Sequence, residues 1–190
     1  MLDPVLLRIA KSAILEELDQ SYSFDLKDVI DKYPFLEKKG ACFVTLHSHK
    51  DLRGCIGSII AHQTLLRDLI DNAYAAAFSD PRFSPLEFKE LHNINLEISL
   101  LSSPELIEYS DYTDLLEKLE PNKDGLIINH NGYQGTFLPQ VWEQLQTPEL
   151  FLEHLAYKAN LTPSVYLNHP KIYRYRVETI EEKFDAILPI

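Results

Sequence analysis

Two stretches of this chain repeat one strand–turn–strand pattern, and that repetition limits its fold more than any other feature. In the first, Gly40 opens an apolar run through Leu46, His47 to Asp51 make a polar turn, and Leu52 to Gly57 return. In the second, Gly125 opens a run through Asn129, His130-Asn131-Gly132 turn the chain, and Tyr133 to Leu138 return. An Asn-Gly pair is a strong hairpin signal, because both residues tolerate the positive φ of a tight turn. Gly54 and Gly135 fall on the two return strands. Each hairpin leads into a helix and then a further strand. The first helix runs from Thr64 to Phe78, with Thr64 as its cap and Leu65, Leu66, Leu69, Ile70, Ala73 and Ala77 on one face. The second opens at Thr147-Pro148-Glu149 and runs to Ala159. The strands that follow are Ile94 to Leu101 and one or two within Tyr166 to Ile180. An α+β fold of two similar halves follows. Convergent hairpin–helix packing accounts for the likeness as well as duplication does.

The remaining segments frame these halves. Leu2, Val5, Leu6, Ile9, Ala13 and Ile14 have helical spacing within residues 2–20, with Asp3-Pro4 as cap and first turn. Residues 21–38 read as irregular chain anchored by Tyr22, Phe24, Tyr33 and Phe35. Ser79 to Pro85 breaks a helix with two prolines, and a short helix spans Leu86 to Leu91. Residues 102–124 form a connector with an amphipathic helix around Tyr112 to Leu119, and the tail after Glu181 reads as surface strand or coil. At 190 residues, the chain suits a single domain of two closely packed halves.

Charge and cysteine content exclude several function classes. The net charge of −11 argues against a general nucleic-acid binder, whose phosphates need a lysine and arginine footprint. No apolar run is long enough for a transmembrane helix, and the N-terminal stretch is acidic and amphipathic, unlike a secretion signal. Cys42 and Cys55 are too few for a disulfide framework, so a reduced, cytoplasmic protein is expected. Phosphate-binding glycine loops, a Rossmann fingerprint and a serine elbow are all missing from the sequence, and no cofactor is expected.

The candidate chemistry centres on Leu52-Arg53-Gly54-Cys55-Ile56-Gly57. As a strand, it puts Arg53, Cys55 and Gly57 on one face, with Arg53 and Cys55 about 6–7 Å apart. A guanidinium at that distance favours a thiolate, and a glycine beside the sulfur leaves room for an approaching group. A nucleophilic Cys55 needs a base, and no neighbour in sequence is an obvious one. A register that sets His47 opposite Arg53 brings His47 to the cysteine's face, while a one-residue slip substitutes Leu46 and Val44. His47-Ser48-His49 has the spacing of a two-histidine metal clip, but at a hairpin tip it reads as solvated turn, and no metal is expected. Asp80-Pro81-Arg82-Phe83 is either a helix-ending loop with an internal Asp–Arg pair or a substrate-binding loop. Glu97 points away from Leu96 and Ile98; if that face is covered, Arg53 or Arg82 would serve as its partner.

These segments together resemble the AMMECR domain family. The resemblance rests on Phe43-Val44-Thr45-Leu46, Leu52 to Gly57, Asp80-Pro81-Arg82-Phe83, Glu97-Ile98-Ser99 before Leu101-Ser102, and Gly125-Leu126-Ile127. It continues through Gly135-Thr136-Phe137-Leu138-Pro139-Gln140-Val141, then Phe151-Leu152 before Lys158-Ala159, collinear over residues 37–186. It implies two related halves, each a β-hairpin with helices and a further strand, forming mainly antiparallel sheets around a cleft. Prokaryotic members look like the A component of the AmmeMemoRadiSam system, encoded with a Memo-like protein and a radical S-adenosylmethionine enzyme, which are the implied partners. Carried over by position, Arg53, Gly54, Cys55, Gly57, Asp80, Arg82 and Glu97 are placed near that cleft. Cys55 and Glu97 are the catalytic candidates, and the other five are binding candidates. The chain departs from the family at Asn160, where glycine is usual, and at Tyr157, where cysteine is common. The second departure argues against a mechanism needing two thiols there.

The resemblance implies no established reaction. One reading is a component of a modification system, acting on a small molecule or protein substrate through Cys55. The alternative is a non-catalytic interaction module that uses the same surface. Binding of a nucleotide or RNA is a third and weaker reading.

Overall fold

The computed structural model describes residues Leu2–Ile190. The chain forms two compact units: residues up to Leu101 together with Glu178–Ile190, and Ser102–Val177.

The first unit is a four-stranded sheet backed by helices. Helix α1 (Val5–Leu18) is followed by the short α2 (Leu26–Lys32), whose cap Asp25 accepts from the Lys27 backbone N–H at 2.8 Å. Strands β1 (Ala41–Ser48) and β2 (Asp51–Gly57) form the first hairpin, and α3 (Leu65–Phe78) and β3 (Ile94–Leu101) follow. Both ladders of β1 are antiparallel. Alternation along β1 decides which face is which. Cys42, Val44 and Leu46 are fully buried in the core formed with α1 and α3, while Phe43, Thr45 and His47 occupy the other face. Each fully buried leucine or valine side chain stabilises the unit by about 1.5–3 kcal/mol relative to exposure.

The second unit has the same plan. After β4 (Glu105–Leu106) and α4 (Tyr112–Lys118) come the hairpin β5 (Gly125–His130) and β6 (Tyr133–Phe137), α5 (Pro148–Lys158) and β7 (Lys171–Tyr175). The final strand β8 (Val177–Lys183) returns to the first sheet. The sheet orders are β2-β1-β3-β8 and, read the same way, β6-β5-β7-β4. In each, the hairpin's return strand is at an edge and the post-helix strand pairs with the hairpin's first strand. Leu126, Ile128 and Ile172 meet Phe151, Leu152 and Leu155 of α5, and Trp142 stacks on Phe151.

The two return-strand glycines explain themselves in packing. A Cβ at Gly54 would sit well under 3.0 Å from the backbone carbonyl oxygen of Ala76 on α3, and one at Gly135 would lie 2.8 Å from the Ala159 backbone nitrogen after α5. Each glycine lets a helical segment lie directly on its return strand.

Several elements differ from the sequence reading. Residues 21–38 contain α2 and a 3₁₀ turn at Pro34–Glu37 where irregular chain was expected. Too few apolar residues repeat in so short a helix to give a periodic signal. The connector hides β4, a two-residue strand. The short helix expected at Leu86–Leu91 is a 3₁₀ turn at Phe88–Asn93. The tail begins as the expected surface strand, β8 running to Lys183, but then turns inward: Phe184 and Ile187 are buried, and their carbonyls accept from Lys11 Nζ at 2.7 and 2.8 Å. Ser12 Oγ accepts from the Ile190 N–H, and Tyr22 donates to the Ile190 carbonyl.

Candidate functional site

The hairpin register places the thiol. Thr45 lies opposite Cys55 on one side and opposite Glu97 on the other, so Cys55, Thr45 and Glu97 form one row across β2, β1 and β3. Phe43 and Ser99 continue the same face one step along. Thr45 donates its hydroxyl to Cys55 Sγ at 3.4 Å, and Ser99 donates to Glu97 Oε1 at 3.2 Å. Cys55 and Glu97 are half-buried, and Thr45 and Ser99 are buried. With two strand spacings between them, the thiol and carboxylate backbones are about 10 Å apart. Glu97 therefore cannot take the Cys55 proton directly; a bound molecule could reach both.

The register also answers the His47 question. A bulge between Leu46 and His47 sets His47 opposite Leu52, leaving Arg53 as the extra residue of β2. The Arg53 guanidinium turns to Glu90, donating from Nε at 2.9 Å and from Nη2 at 3.1 Å. Glu90 also accepts the Glu87 N–H, and Arg53 beside it is the main reason its carboxyl lies below the usual range. The expectation that Arg53 would face the thiol, or that Arg53 or Arg82 would pair with Glu97, is thus corrected: both arginines have other carboxylates.

The cation next to Cys55 comes instead from the Asp80-Pro81-Arg82 loop. Arg82 Nη2 donates to the Cys55 carbonyl at 3.0 Å, while Asp80 Oδ2 accepts the Cys55 N–H at 2.9 Å. Asp80 in turn accepts from the Arg82 backbone N–H, Nε and Nη2. The Arg82 side chain, followed by the Cys55 N–H, holds the Asp80 carboxyl well below the usual carboxylate range. Strand β2 is an edge, and edge backbone groups need partners. The loop supplies a bidentate polar clamp at one residue, Cys55, fixing the backbone from which the thiol projects.

The glycines beside the thiol are not vacant. Gly54 faces Ala76, and the space a Gly57 side chain would need is filled by the Phe43 ring, its cross-strand partner. The room expected beside the sulfur is therefore occupied by protein atoms.

Cys42 gives the opposite environment on the buried face. It is fully buried, with its N–H and thiol donating to Asp68 Oδ2. Burial first, then the Asp68 charge, push this thiol's pKa up. Ser58 and Asn72 also donate to Asp68, which makes a satisfied interior network with no route for a reagent. At the hairpin tip His49 is exposed, and among the described residues no group of three His, Cys, Asp or Glu is gathered to hold a metal.

Thr45 and Glu90 were not singled out from sequence. Thr45 had a signal, since it shares the alternating face of β1 with His47. Glu90 had little, because only the bulge turns Arg53 toward it.

Residues 7–180 match the AMMECR1 family. The chain belongs to it. Protein MJ0810 of Methanocaldococcus jannaschii is 41% identical over 173 residues, covering 86% of this chain and 84% of that protein. Protein PF1979 of Pyrococcus furiosus is 36% identical over 190 residues, covering 94% of this chain and 87% of the relative. The crystal structure of the uncharacterized protein PH0010 from Pyrococcus horikoshii matches with a TM-score of 0.75 at 34% identity, over 94% of this chain and 90% of that one. Asn160, where the resemblance leads one to expect glycine, has a backbone that suits either residue. Its φ is +58°, a left-handed conformation that glycine adopts freely and asparagine tolerates. Tyr157 is exposed on α5, beside Glu153 and His154.

Proposed function

We propose that the sheet face bearing Cys55, Thr45 and Glu97 is the working surface of a component of a modification system, with the Cys55 thiol as the group offered to substrate. The observation that carries this reading is the clamp: both backbone polar groups of Cys55 are held by Asp80 and Arg82, while its thiol stays half-exposed beside the Thr45 hydroxyl. Cys42 also has side-chain partners on its backbone N–H and carbonyl, but its thiol is buried, so exposure of the held thiol is what sets Cys55 apart. Thr45 donates to the Cys55 sulfur, and Glu97 in the same row supplies a carboxylate to the same bound molecule. The Memo-like and radical S-adenosylmethionine partners enter from the family resemblance, and a cytoplasmic setting from the low cysteine content. No helix among the described residues is long and apolar enough to cross a membrane.

The test is mass-spectrometric alkylation of the folded protein across pH. Cys55 is expected to be labelled and Cys42 to stay silent, with Cys55→Ser removing the signal and Thr45→Val slowing it. A Cys55 as inert as Cys42 sinks the chemical reading.

The non-catalytic alternative draws on a specific observation: Arg53 and Arg82 both have carboxylate partners within the chain, so neither is a free cation for a ligand. Co-purification with the two proposed partners separates the readings. Association that survives Cys55→Ser favours docking alone; association that is unchanged by every substitution on this face removes it as the docking surface.

A further inference from the structure

We propose that the open end of the second unit's sheet binds a phosphate-class oxyanion carried on a small organic molecule. The site is a cavity of about 430 Å³ where β5 runs into its turn and β7 begins, and its lining includes Asn129, His130, Asn131, His169, Lys171 and Tyr173. It shares no residue with the Cys55 face. Asn129 and Lys171 are direct cross-strand partners, and Tyr173 opposes Ile127 on the same side. That side is opposite Leu126, Ile128 and Ile172, which pack into the core with α5.

The lining is chemically one-sided. The whole chain has 29 acidic residues against 18 basic ones, yet none of those acids lies between Asp124 and Glu143 or between Glu153 and Glu178. Both segments that build the cavity come from these acid-free stretches. The lining thus combines an ammonium, two imidazoles and asparagine amides with no carboxylate. Most lysines and arginines bonded in this structure have carboxylate partners, such as Lys89, Lys118 and Lys123; Lys171 makes no ion pair among the described residues. Unopposed donors of this kind suit an oxyanion, because each oxygen accepts from an ammonium, imidazole or amide N–H.

The donors are also held in place. His169 and Asn131 both take left-handed backbone conformations, with φ of +47° and +50°. The His169 ring stacks on Tyr109 at 5.0 Å between centroids, and Tyr109 is itself anchored by donating to the Pro170 carbonyl at 2.6 Å. The stack fixes the ring plane without using its nitrogens. Asn131 Nδ2 contacts His130 Nε2 at 3.2 Å, which orients the second ring. The volume leaves room beside a bare phosphate, and Tyr173 offers that space a neighbouring aromatic surface for an organic group.

The experiment is an NMR titration of the full-length protein with inorganic phosphate and, separately, phenyl phosphate, following the imidazole C–H signals of His130 and His169. Both probes are expected to give saturable shifts of these two rings at low salt, with phenyl phosphate binding more tightly. Lys171→Gln and His169→Gln are each expected to weaken binding about tenfold or more. These are exposed positions, so the backbone spectrum of each variant should otherwise match that of the parent. Shifts that rise linearly without saturating, or an affinity in both variants unchanged from that of the parent, overturn the proposal. Because Cys55 lies in the other unit, alkylation of Cys55 and anion titration of Lys171→Gln succeed or fail independently.

Discussion

Gly54→Ala should destabilise the protein even though strand propensity argues for the reverse. Glycine in a strand interior is worth about 0.5–1 kcal/mol less than alanine, because it loses more backbone freedom on folding. On that basis alone the substitution stabilises. The structure reverses the sign, since the new Cβ would lie far inside 3.0 Å of the Ala76 carbonyl oxygen on α3. That oxygen belongs to a helical backbone, so relief requires α3 and β2 to separate by on the order of 1 Å along a well-packed interface, at a typical cost of about 1–3 kcal/mol. Taking the upper part of that range and subtracting the propensity gain leaves a net loss of about 2 kcal/mol, or a Tm lower by about 4–8 °C for a chain of this size. Differential scanning calorimetry measures it directly and also shows whether the two compact units melt separately. The double variant with Ala76→Gly sharpens the test. The clash is with main-chain oxygen, so removing the Ala76 methyl should not rescue Gly54→Ala. A Gly54→Ala protein as stable as the parent, or one restored by Ala76→Gly, would refute the close-approach argument.

Asp80→Asn should loosen the Cys55 clamp and change the rate of Cys55 alkylation while Cys42 stays unlabelled in the folded state. Because the folded Asp80 pKa is depressed, its stabilisation is present above the unfolded carboxylate value of about 3.9 and is lost as pH falls below that. Lowering the pH from 5 to 3 should therefore reduce the Tm of the parent more than that of Asp80→Asn, as followed by circular dichroism. Lys11→Met deprives the Phe184 and Ile187 carbonyls of their shared donor, costing roughly 1–3 kcal/mol, and should expose the tail from Phe184 onward to limited proteolysis. Asn160→Ala, at φ +58°, should cost about 1–2 kcal/mol in denaturant melts, whereas Asn160→Gly should be nearly neutral.

The strongly periodic elements were legible in the chain itself. The two hairpins, α1, α3, α5 and β3 stand where apolar spacing and the Thr64, Thr147 and Pro148 signals put them. The similar halves were visible too, down to Gly54 and Gly135. Elements too short to show a period, α2 and β4, were not. Nor was the buried tail, because nothing local to Phe184 reveals that Lys11, distant in sequence, will hold its carbonyl.

At the candidate site the division is sharper. The alternation of β1 and β3 and the compact Asp80-Pro81-Arg82 loop belong to the sequence alone, since side-chain period and proline stiffness act within a few residues. Which cation meets the thiol was decided by tertiary structure. The bulge between Leu46 and His47 lets Arg53 turn away to Glu90, and the loop after α3 then brings Arg82 and Asp80 to the free edge of β2. Strand register and edge capping depend on partners dozens of residues away, and only the folded chain brings them to Cys55.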